Sequence, residues 1–298
     1  LEGKELLCKR QHGFRKYRSC ESQLTELMCD ISQKLDEGKE VDAIFLDFSK
    51  AFDKVDHMKL LYKLDRIGVS RQVRRWVQSL LVGRSQTVVV DGFESSSCPV
   101  TSGVPQGSVI GPILFLVYIN DLPESVMSRT RLFADDTVIY NTSDNQQQLQ
   151  DDLIALQAWE HLWKMEFNPL KCEYIKFSRK RTRGAQNDYT LNNINIPKTD
   201  SVKYLGVKLE SSLRWNDNTT YISNKASSRL GYIRRTIPPA LPHLRAKAYT
   251  TLVRPILEYS STVWDSSLTQ TQATKLEAVP RTDHKTSTTQ LVDQLTWQ

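Results

Sequence analysis

Little in this 298-residue sequence can cross-link or ligate through sulfur. The five cysteines (Cys8, Cys20, Cys29, Cys98, Cys172) are odd in number and scattered, and no two form a C-x-x-C pair. Neither a disulfide framework nor a structural zinc site is expected, and a reducing compartment is the simpler reading. Long apolar runs are also missing. The longest, Ile113 to Ile119, is far short of the ~20 residues a membrane span needs, so no membrane partner is expected. The first residues are charged and lack an apolar signal segment, which argues against secretion and for a cytoplasmic or nuclear location. The chain starts at Leu1 rather than Met and reads as a fragment. A hydrophobic fraction of 39% with 25% charged residues excludes a disordered chain. The length suits one large domain or two subdomains. Lys and Arg number 40 against 34 Asp and Glu, a net charge of +6 that favours an acidic partner, nucleic acid ahead of membrane.

The stretch that organises the rest is Arg131 to Tyr140, RLFADDTVIY. An apolar run enters, Asp135 and Asp136 follow, and a β-branched run leaves, as in two short strands joined by a tight turn. Adjacent aspartates repel and desolvate badly, so a fold that holds them together commonly offers a cation. Alone, the pair reads as a solvated turn. A third carboxylate, Asp47, ends the apolar run VDAIFLDF, which is a buried strand by pattern. Ser102 to Pro112, SGVPQGSVIGP, holds three glycines and two prolines, a backbone that turns sharply and permits close approach. It opens the wholly apolar ILFLVYI, a helix buried on every side.

Around these lie helices expected from Leu24 to Leu35 with a stop at Gly38, from Asp56 to Gly68, and from Arg71 to Val82 with Val73, Trp76, Val77 and Leu80 as core. Gln86 to Val90 reads as a strand, turning at Asp91–Gly92 and returning near Pro99 to Thr101. Asn145 to Lys164 is an amphipathic helix, EYIKF a strand, Asn192–Asn193 a hairpin turn, and Lys203 to Leu209 another strand. Near the start, Arg10, Arg15, Lys16 and Arg18 with Phe14 and Tyr17 suit a phosphate backbone or a stacked base, or a solvated basic turn. From Tyr221 the pattern is helical and basic, with Leu230, Ile233, Leu244, Leu252 and Ile256 as its apolar positions, and a subdomain boundary is placed within 210–220. Arg179 to Arg183 fits a localisation signal or a solvated loop. Three carboxylates at two strand ends beside a glycine loop suit magnesium, which takes few protein carboxylates and keeps places for water and phosphate. Two such ions about 4 Å apart catalyse phosphoryl transfer, so the residues by themselves read as a nucleotidyl transferase.

In this order FLDFSKAFD, TSGVPQGSVIGPILF, FADD, FNPLKC and KYLGV closely resemble reverse transcriptases of non-LTR (LINE-type) retrotransposons, the jockey-like and chicken-repeat-like branches in particular. The resemblance spans about residues 10 to 280. It implies an α+β fold of the right-hand polymerase kind: a palm of antiparallel sheet with packed helices, partial fingers and a helical thumb. The corresponding division is 1–40 partial fingers, 41–215 palm with inserted fingers elements, 216–279 thumb-like helices and 280–298 a polar tail. The implied activity is RNA-directed DNA polymerisation, adding dNTPs to a primer 3′-hydroxyl on an RNA template. Asp47 and Asp135 would be the main ligands of two Mg2+ ions, with Mn2+ as the alternative ion, and Asp136 would complete the cluster. Phe52 would be the steric gate against a 2′-hydroxyl; read alone it is equally a core aromatic. Gln106 and Gly107 would line the incoming nucleotide and template base. Lys171 would protonate departing pyrophosphate, although by itself it is a solvated turn lysine. Tyr204, Leu205 and Gly206 would form the primer grip. An element-encoded RNA-binding protein is a further expected partner.

Relative to that family the stretch carries no Y-R-P-I-S-like run with its triphosphate-binding arginine, no endonuclease domain, no short basic segment after LEAV and no cysteine–histidine knuckle. It is expected to be an N-terminally truncated copy with its carboxylates intact. The alternative is a catalytically inactive, nucleic-acid-binding remnant. An RNA-dependent RNA polymerase is disfavoured, because Phe52 stands where such an enzyme needs a small or polar contact to ribose.

Overall fold

The computed structural model describes residues 6–180 and 187–281, which form two compact units divided between Thr199 and Asp200. The expected tail beyond residue 281 and the part of the Arg179–Arg183 run after Lys180 lie outside the described residues.

The first unit is built on an antiparallel sheet. Its strands are β1 (Val41–Leu46), the hairpin of β6 (Arg129–Phe133) and β7 (Asp136–Thr142), and β8 (Glu173–Phe177), in the order β6-β7-β1-β8. All six residues of β1 are buried, as a strand covered on both faces must be. Alternation sends Ile44, Leu46, Leu132 and Ile139 into the core shared with α4 (Ile110–Ile119) and α5 (Gln146–Trp163). Leu149, Leu153, Leu156 and Trp159 are the buried stripe of α5, as their spacing predicts. On the opposite face lies α1 (Cys20–Asp36), opened by a Ser19–Ser22 capping box and burying Leu24, Leu27, Met28, Ile31 and Leu35. Ion pairs fix it there. The Arg131 guanidinium of β6 contacts Glu26 and, at 2.7 Å, Asp30, and the Tyr140 hydroxyl of β7 donates to Asp30.

Between β1 and α4 come α2 (His57–Arg66), capped by Asp56, then α3 (Arg71–Leu81) and a twisted ribbon. The ribbon pairs β2 (Ser85–Gln86) with β5 (Cys98–Pro99), and β3 (Val89–Val90) with β4 (Phe93–Glu94) around the Asp91–Gly92 turn. The expected turn is there, but the single strand over 86–90 is two short pieces and the return begins at Phe93. Val88, Val89, Val90 and Phe93 are exposed, since a two-stranded ribbon standing off the core has no second layer to bury them. Likewise only Val77 and Leu81 of α3 are buried, while Val73 and Trp76 face solvent, which corrects the expected core stripe. The Asn192–Asn193 turn joins β9 (Thr190–Leu191) to β10 (Ile194–Asn195), both turn residues having positive φ.

The second unit starts with β11 (Ser201–Tyr204) and β12 (Val207–Glu210), a hairpin where the sequence suggested one strand. Leu205 and Gly206 make its turn at φ +46° and +88°. The hairpin is anchored to α6 (Asn216–Thr236): the Lys208 amide donates to Asn218 Oδ1 at 3.2 Å and the Asp217 amide to Glu210 Oε1 at 2.6 Å. The hairpin therefore belongs with the helices of the unit that begins at Asp200. There follow α7 (Pro242–Leu252), α8 (Arg254–Glu258), α9 (Ser261–Trp264) and α10 (Gln270–Arg281), which takes in Pro280, the first residue of the expected tail. Ala226, Leu230, Ile233, Val253 and Val279 form one core cluster of the unit, while Leu244 and Leu252 stay exposed. Among the described residues no helix is long and apolar enough to cross a membrane.

A strip at the N-terminal end of the first unit braces the sheet. Gln11 pairs with Leu132 in a parallel bridge, and the His12 amide donates to the Leu132 carbonyl at 2.8 Å. A Cβ on Gly13 would lie 2.2 Å from the Ala134 nitrogen, so only glycine fits. Both sides of that contact are backbone and no rotamer change relieves it. Gly13→Ala should therefore destabilise the first unit by about 3 kcal/mol and lower its melting temperature by roughly 6–12 °C in thermal unfolding followed by circular dichroism. An unchanged melting temperature would mean that residues 11–13 are not seated on the Ala134 turn.

Candidate active site

Two neighbouring strands deliver the carboxylates. The β1–β7 register pairs Leu46 with Thr137, so Asp47 leaves β1 beside the start of β7 at Asp136. The β6–β7 hairpin closes with Phe133 opposite Asp136, leaving Ala134 and Asp135 as a two-residue turn. Ala134 sits at φ +53°, a conformation costing of order 1 kcal/mol in a residue with a Cβ. Gln11 offsets it: its Oε1 accepts from the amides of Ala134 at 2.9 Å and Gly13 at 2.7 Å.

The carboxylates feel one another. Asp136 is reached by solvent, yet the protein packed around it limits its hydration, and this desolvation, then the Asp135 and Asp47 charges, pushes it up to about 6. Burial, with the Asp47 charge adding to it, also raises Asp135. Negative charge held together in this way calls for a counter-charge. Among the described residues no three acidic, histidine or cysteine side chains converge into a ready-made cage for one ion. The oxygen-only donor set fits a hard divalent cation that takes few protein carboxylates.

Lys171 reaches this place through the turn FNPLKC. Phe167 stacks on Phe48, with centroids 4.1 Å apart, and forms a bridge with it. The Asn168 amide donates to the Asp47 carbonyl at 2.7 Å, and the Lys171 amide to the Asn168 carbonyl at 2.9 Å. The Lys171 ammonium ends 4.0 Å from Asp47 Oδ1, both side chains being well exposed. Next in sequence, Cys172 is fully buried, and burial pushes its thiol up to about 12, leaving it unreactive.

A second group surrounds Phe52, half-buried, whose ring stacks on Phe115 of α4 with centroids 4.3 Å apart and planes at 20°. The glycine-rich loop docks on the Phe52–Val55 turn. Gly103 and Val104 amides donate to the carbonyls of Val55 and Phe52 at 2.8 and 2.9 Å, and Ser102 Oγ donates to the Asp53 carbonyl at 2.7 Å. At Gly103, φ is +88° and a Cβ would press on the Asp53 backbone at 2.9 Å, so both torsion and space demand glycine. Gln106 Nε2 donates to Asp53 Oδ1 at 2.6 Å, which leaves the amide oxygen outward. Gln106 and Gly107 are exposed.

The structure thus joins Asp47, Asp135, Asp136 and Lys171 in one electrostatic group, and Phe52 with the loop carrying Gln106 and Gly107 in another. Tyr204, Leu205 and Gly206 belong to the second unit's hairpin, where the Tyr259 hydroxyl donates to the Leu205 carbonyl at 3.0 Å. Three arginines of the N-terminal basic cluster have partners within the protein. Arg10 donates to the Pro123 carbonyl, Arg15 to that of Cys8, and Arg18 to His12 and Glu26. Sequence reasoning missed Gln11, Gly13 and Asp53. Only the wedged glycine in QHGF hinted at a close approach; Gln11 and Gly13 meet Ala134 more than 100 residues away, and Asp53 meets Gln106 53 residues away.

The family model for reverse transcriptase (RNA-dependent DNA polymerase) matches residues 1–209. The RNA-directed DNA polymerase from mobile element jockey of Drosophila melanogaster is 30% identical over 273 residues, covering 86% of this chain and 29% of that protein. Its counterpart from Drosophila funebris is 31% identical over 236 residues, 74% of this chain and 25% of that protein. A solved telomerase from Candida tropicalis, in complex with a fragment of telomeric RNA, aligns at a TM-score of 0.49 and 10% identity over 86% of this chain and 45% of that one. The chain spans under a third of the length of the mobile-element relatives. With the FADD turn, the FLDF strand end and the docked PQG loop all inside the matched span, the chain belongs to the reverse transcriptase family.

Proposed function

We propose that this chain is the polymerising part of a non-LTR retrotransposon reverse transcriptase, adding dNTPs to a DNA primer 3′-hydroxyl on an RNA template. The observation that carries the reading is the carboxylate group at the β1 end and the β6–β7 turn, whose mutual repulsion a divalent cation would relieve. The four-stranded sheet with α4 and α5 has the role of a palm, and the second unit's helices that of a thumb. Asp47 and Asp135 would hold two Mg2+ ions, or Mn2+ in their place, with Asp136 adding negative charge. Bound there, the metal would supply activation of the primer hydroxyl and neutralisation of the phosphates.

The chain's own residues do the rest. Phe52, backed by Phe115, presents a flat apolar edge to the nucleotide sugar and rejects a 2′-hydroxyl by clash. Gln106, its nitrogen occupied by Asp53, presents its oxygen to the nucleotide, while the exposed Gly107 lets the template base come close to the backbone. Lys171, oriented by the Asn168 turn, gives a proton to departing pyrophosphate. Tyr204, Leu205 and Gly206 form a primer grip. Such a substrate implies work in the cytoplasm or nucleus, with an element-encoded RNA-binding protein as a further partner.

Primer extension on an RNA template with dNTPs and Mg2+ tests the reading. The wild-type chain should extend the primer, and Asp135→Asn should lower the rate by about 10³-fold or more, the loss expected when transition-state charge goes unstabilised. Primer–template binding without extension by the wild type would replace this reading with the inactive remnant.

The pH dependence has a definite sign. The folded value of Asp136, about 6, lies above the ordinary aspartate value near 4. Its contribution to stability is therefore present at low pH and is lost as pH rises through about 6. Without divalent cation, Asp136→Asn should melt about 2 °C above the wild type at pH 7, a small effect because solvent screens the exposed side chain, and the difference should vanish by about pH 4. Added Mg2+ should stabilise the wild type more at pH 7 than at pH 5. Equal stabilisation at both would show that Asp136 charge does not oppose folding.

A further inference from the structure

We propose that Phe14 is a positioning residue for sugar selection: it sets the tilt of the Phe52 ring from the solvent side. The inference rests on the polymerase reading and extends it to a residue of the QHGF strip.

Phe14 carries two unfavourable features at once. Its backbone is in the left-handed region at φ +52°, which a bulky side chain avoids, and its ring is 59% exposed. Neither follows from the needs of a core. Both follow if the ring must stand at a fixed place. The backbone on its N-terminal side cannot shift: Gly13 is wedged on Ala134, Gln11 bridges Gly13 and Ala134, and the His12 amide is bonded to Leu132. The fully buried His12 ring sits between Arg18, which donates to Nε2 at 2.6 Å, and Ser22 Oγ, 2.9 Å from Nδ1.

From this mount the Phe14 ring meets Phe52 edge to face, with centroids 6.5 Å apart and planes at 82°, inside the range of favourable aromatic pairs. Phe52 is also stacked on Phe115, which is fully buried and cannot move. Phe52 is thus held by one immovable ring and one exposed ring, and only the second can be removed without opening the core. The tilt of Phe52 decides how far its edge projects toward the sugar, so the contact acts on specificity. The same strip also braces the turn that presents Asp135. The sugar gate and the carboxylates are in this way referred to one short piece of backbone.

The test is single-nucleotide incorporation by the full chain on primer–template, with dNTP and the matching rNTP, read as the ratio of their kcat/KM values. Phe14→Ala should lower the dNTP:rNTP ratio about tenfold, and Phe14→Tyr, which keeps the ring, should hold it within about twofold of wild type. On a Phe52→Ala background, Phe14→Ala should produce no further fall, because no ring remains to be tilted. A ratio unchanged in Phe14→Ala, or a further fall of the same size without Phe52, overturns the inference while leaving the polymerase reading standing. Should Phe14→Ala fail to fold, Phe14→Leu decides in its place: it keeps apolar bulk but has no ring, and must show the same fall. A wild-type chain that incorporates neither nucleotide overturns the polymerase reading, and this inference with it.

Discussion

The antiparallel pairing of β1 with β7 is the constraint on which the first unit depends. A slip of one residue would turn every β1 side chain to the other face of the sheet. It would also carry Asp47 away from the start of β7. The register is held by burial on both faces, from Val41, Ala43 and Phe45 on one side and Ile44 and Leu46 on the other. Asp42, fully buried in the same strand, adds a polar lock: it accepts from Ser143 Oγ and Asn187 Nδ2, both at 2.6 Å, and from the Tyr189 hydroxyl at 2.7 Å. Moving it out of register would leave a buried polar group without its donors, at a cost of about 1–3 kcal/mol. Like-charge repulsion at the strand ends is tolerable only because this frame is so firmly specified.

The opposite sheet face contributes differently. Arg131, Tyr140, Asp30 and Glu26 make a partly buried network joining α1 to the hairpin that ends in the aspartates. It holds Asp30 below the usual carboxylate range against the opposing effect of burial, through hydrogen bonds from Arg131 and Tyr140. His12 belongs to the adjoining set and is kept neutral, its pKa lowered to about 4, chiefly by burial. A neutral imidazole can accept from Arg18 at one nitrogen and donate to Ser22 at the other. At the start of β6, the buried Asp152 of α5 accepts from the Met127 and Ser128 amides at 2.8 and 2.9 Å. The hairpin is therefore anchored from both faces before any ligand is considered.

Much of this was legible in the sequence because it is local. The alternation of β1, the Asp135–Asp136 tip, the α5 stripe and the Asn192–Asn193 turn each depend on a few neighbouring residues. What was not legible depends on distant partners or on the lack of a covering layer. Val88 to Val90 has strand propensity, yet no core lies over it. Trp76 and Val73 fall on a helical stripe, yet α3 buries only Val77 and Leu81. KYLGVKL reads as one strand because Leu205 gives no turn signal, although it takes φ +46° ahead of Gly206. The largest omission is the QHGF strip, whose meaning lies in Ala134 and Phe52. No period or composition rule connects those positions.

Asp47 and Asp135, 88 residues apart in sequence, are proposed to act as one cation site. The most direct measurement is Mn2+ binding to the purified chain, followed by loss of the free-ion electron paramagnetic resonance signal, for the wild type, Asp47→Asn and Asp135→Asn. The wild type should bind an ion, and each variant alike should bind it more weakly by about tenfold or more, the loss expected when a hard cation loses a carboxylate ligand. Binding that survives Asp47→Asn at wild-type strength would contradict this, showing that the two strand ends do not share an ion.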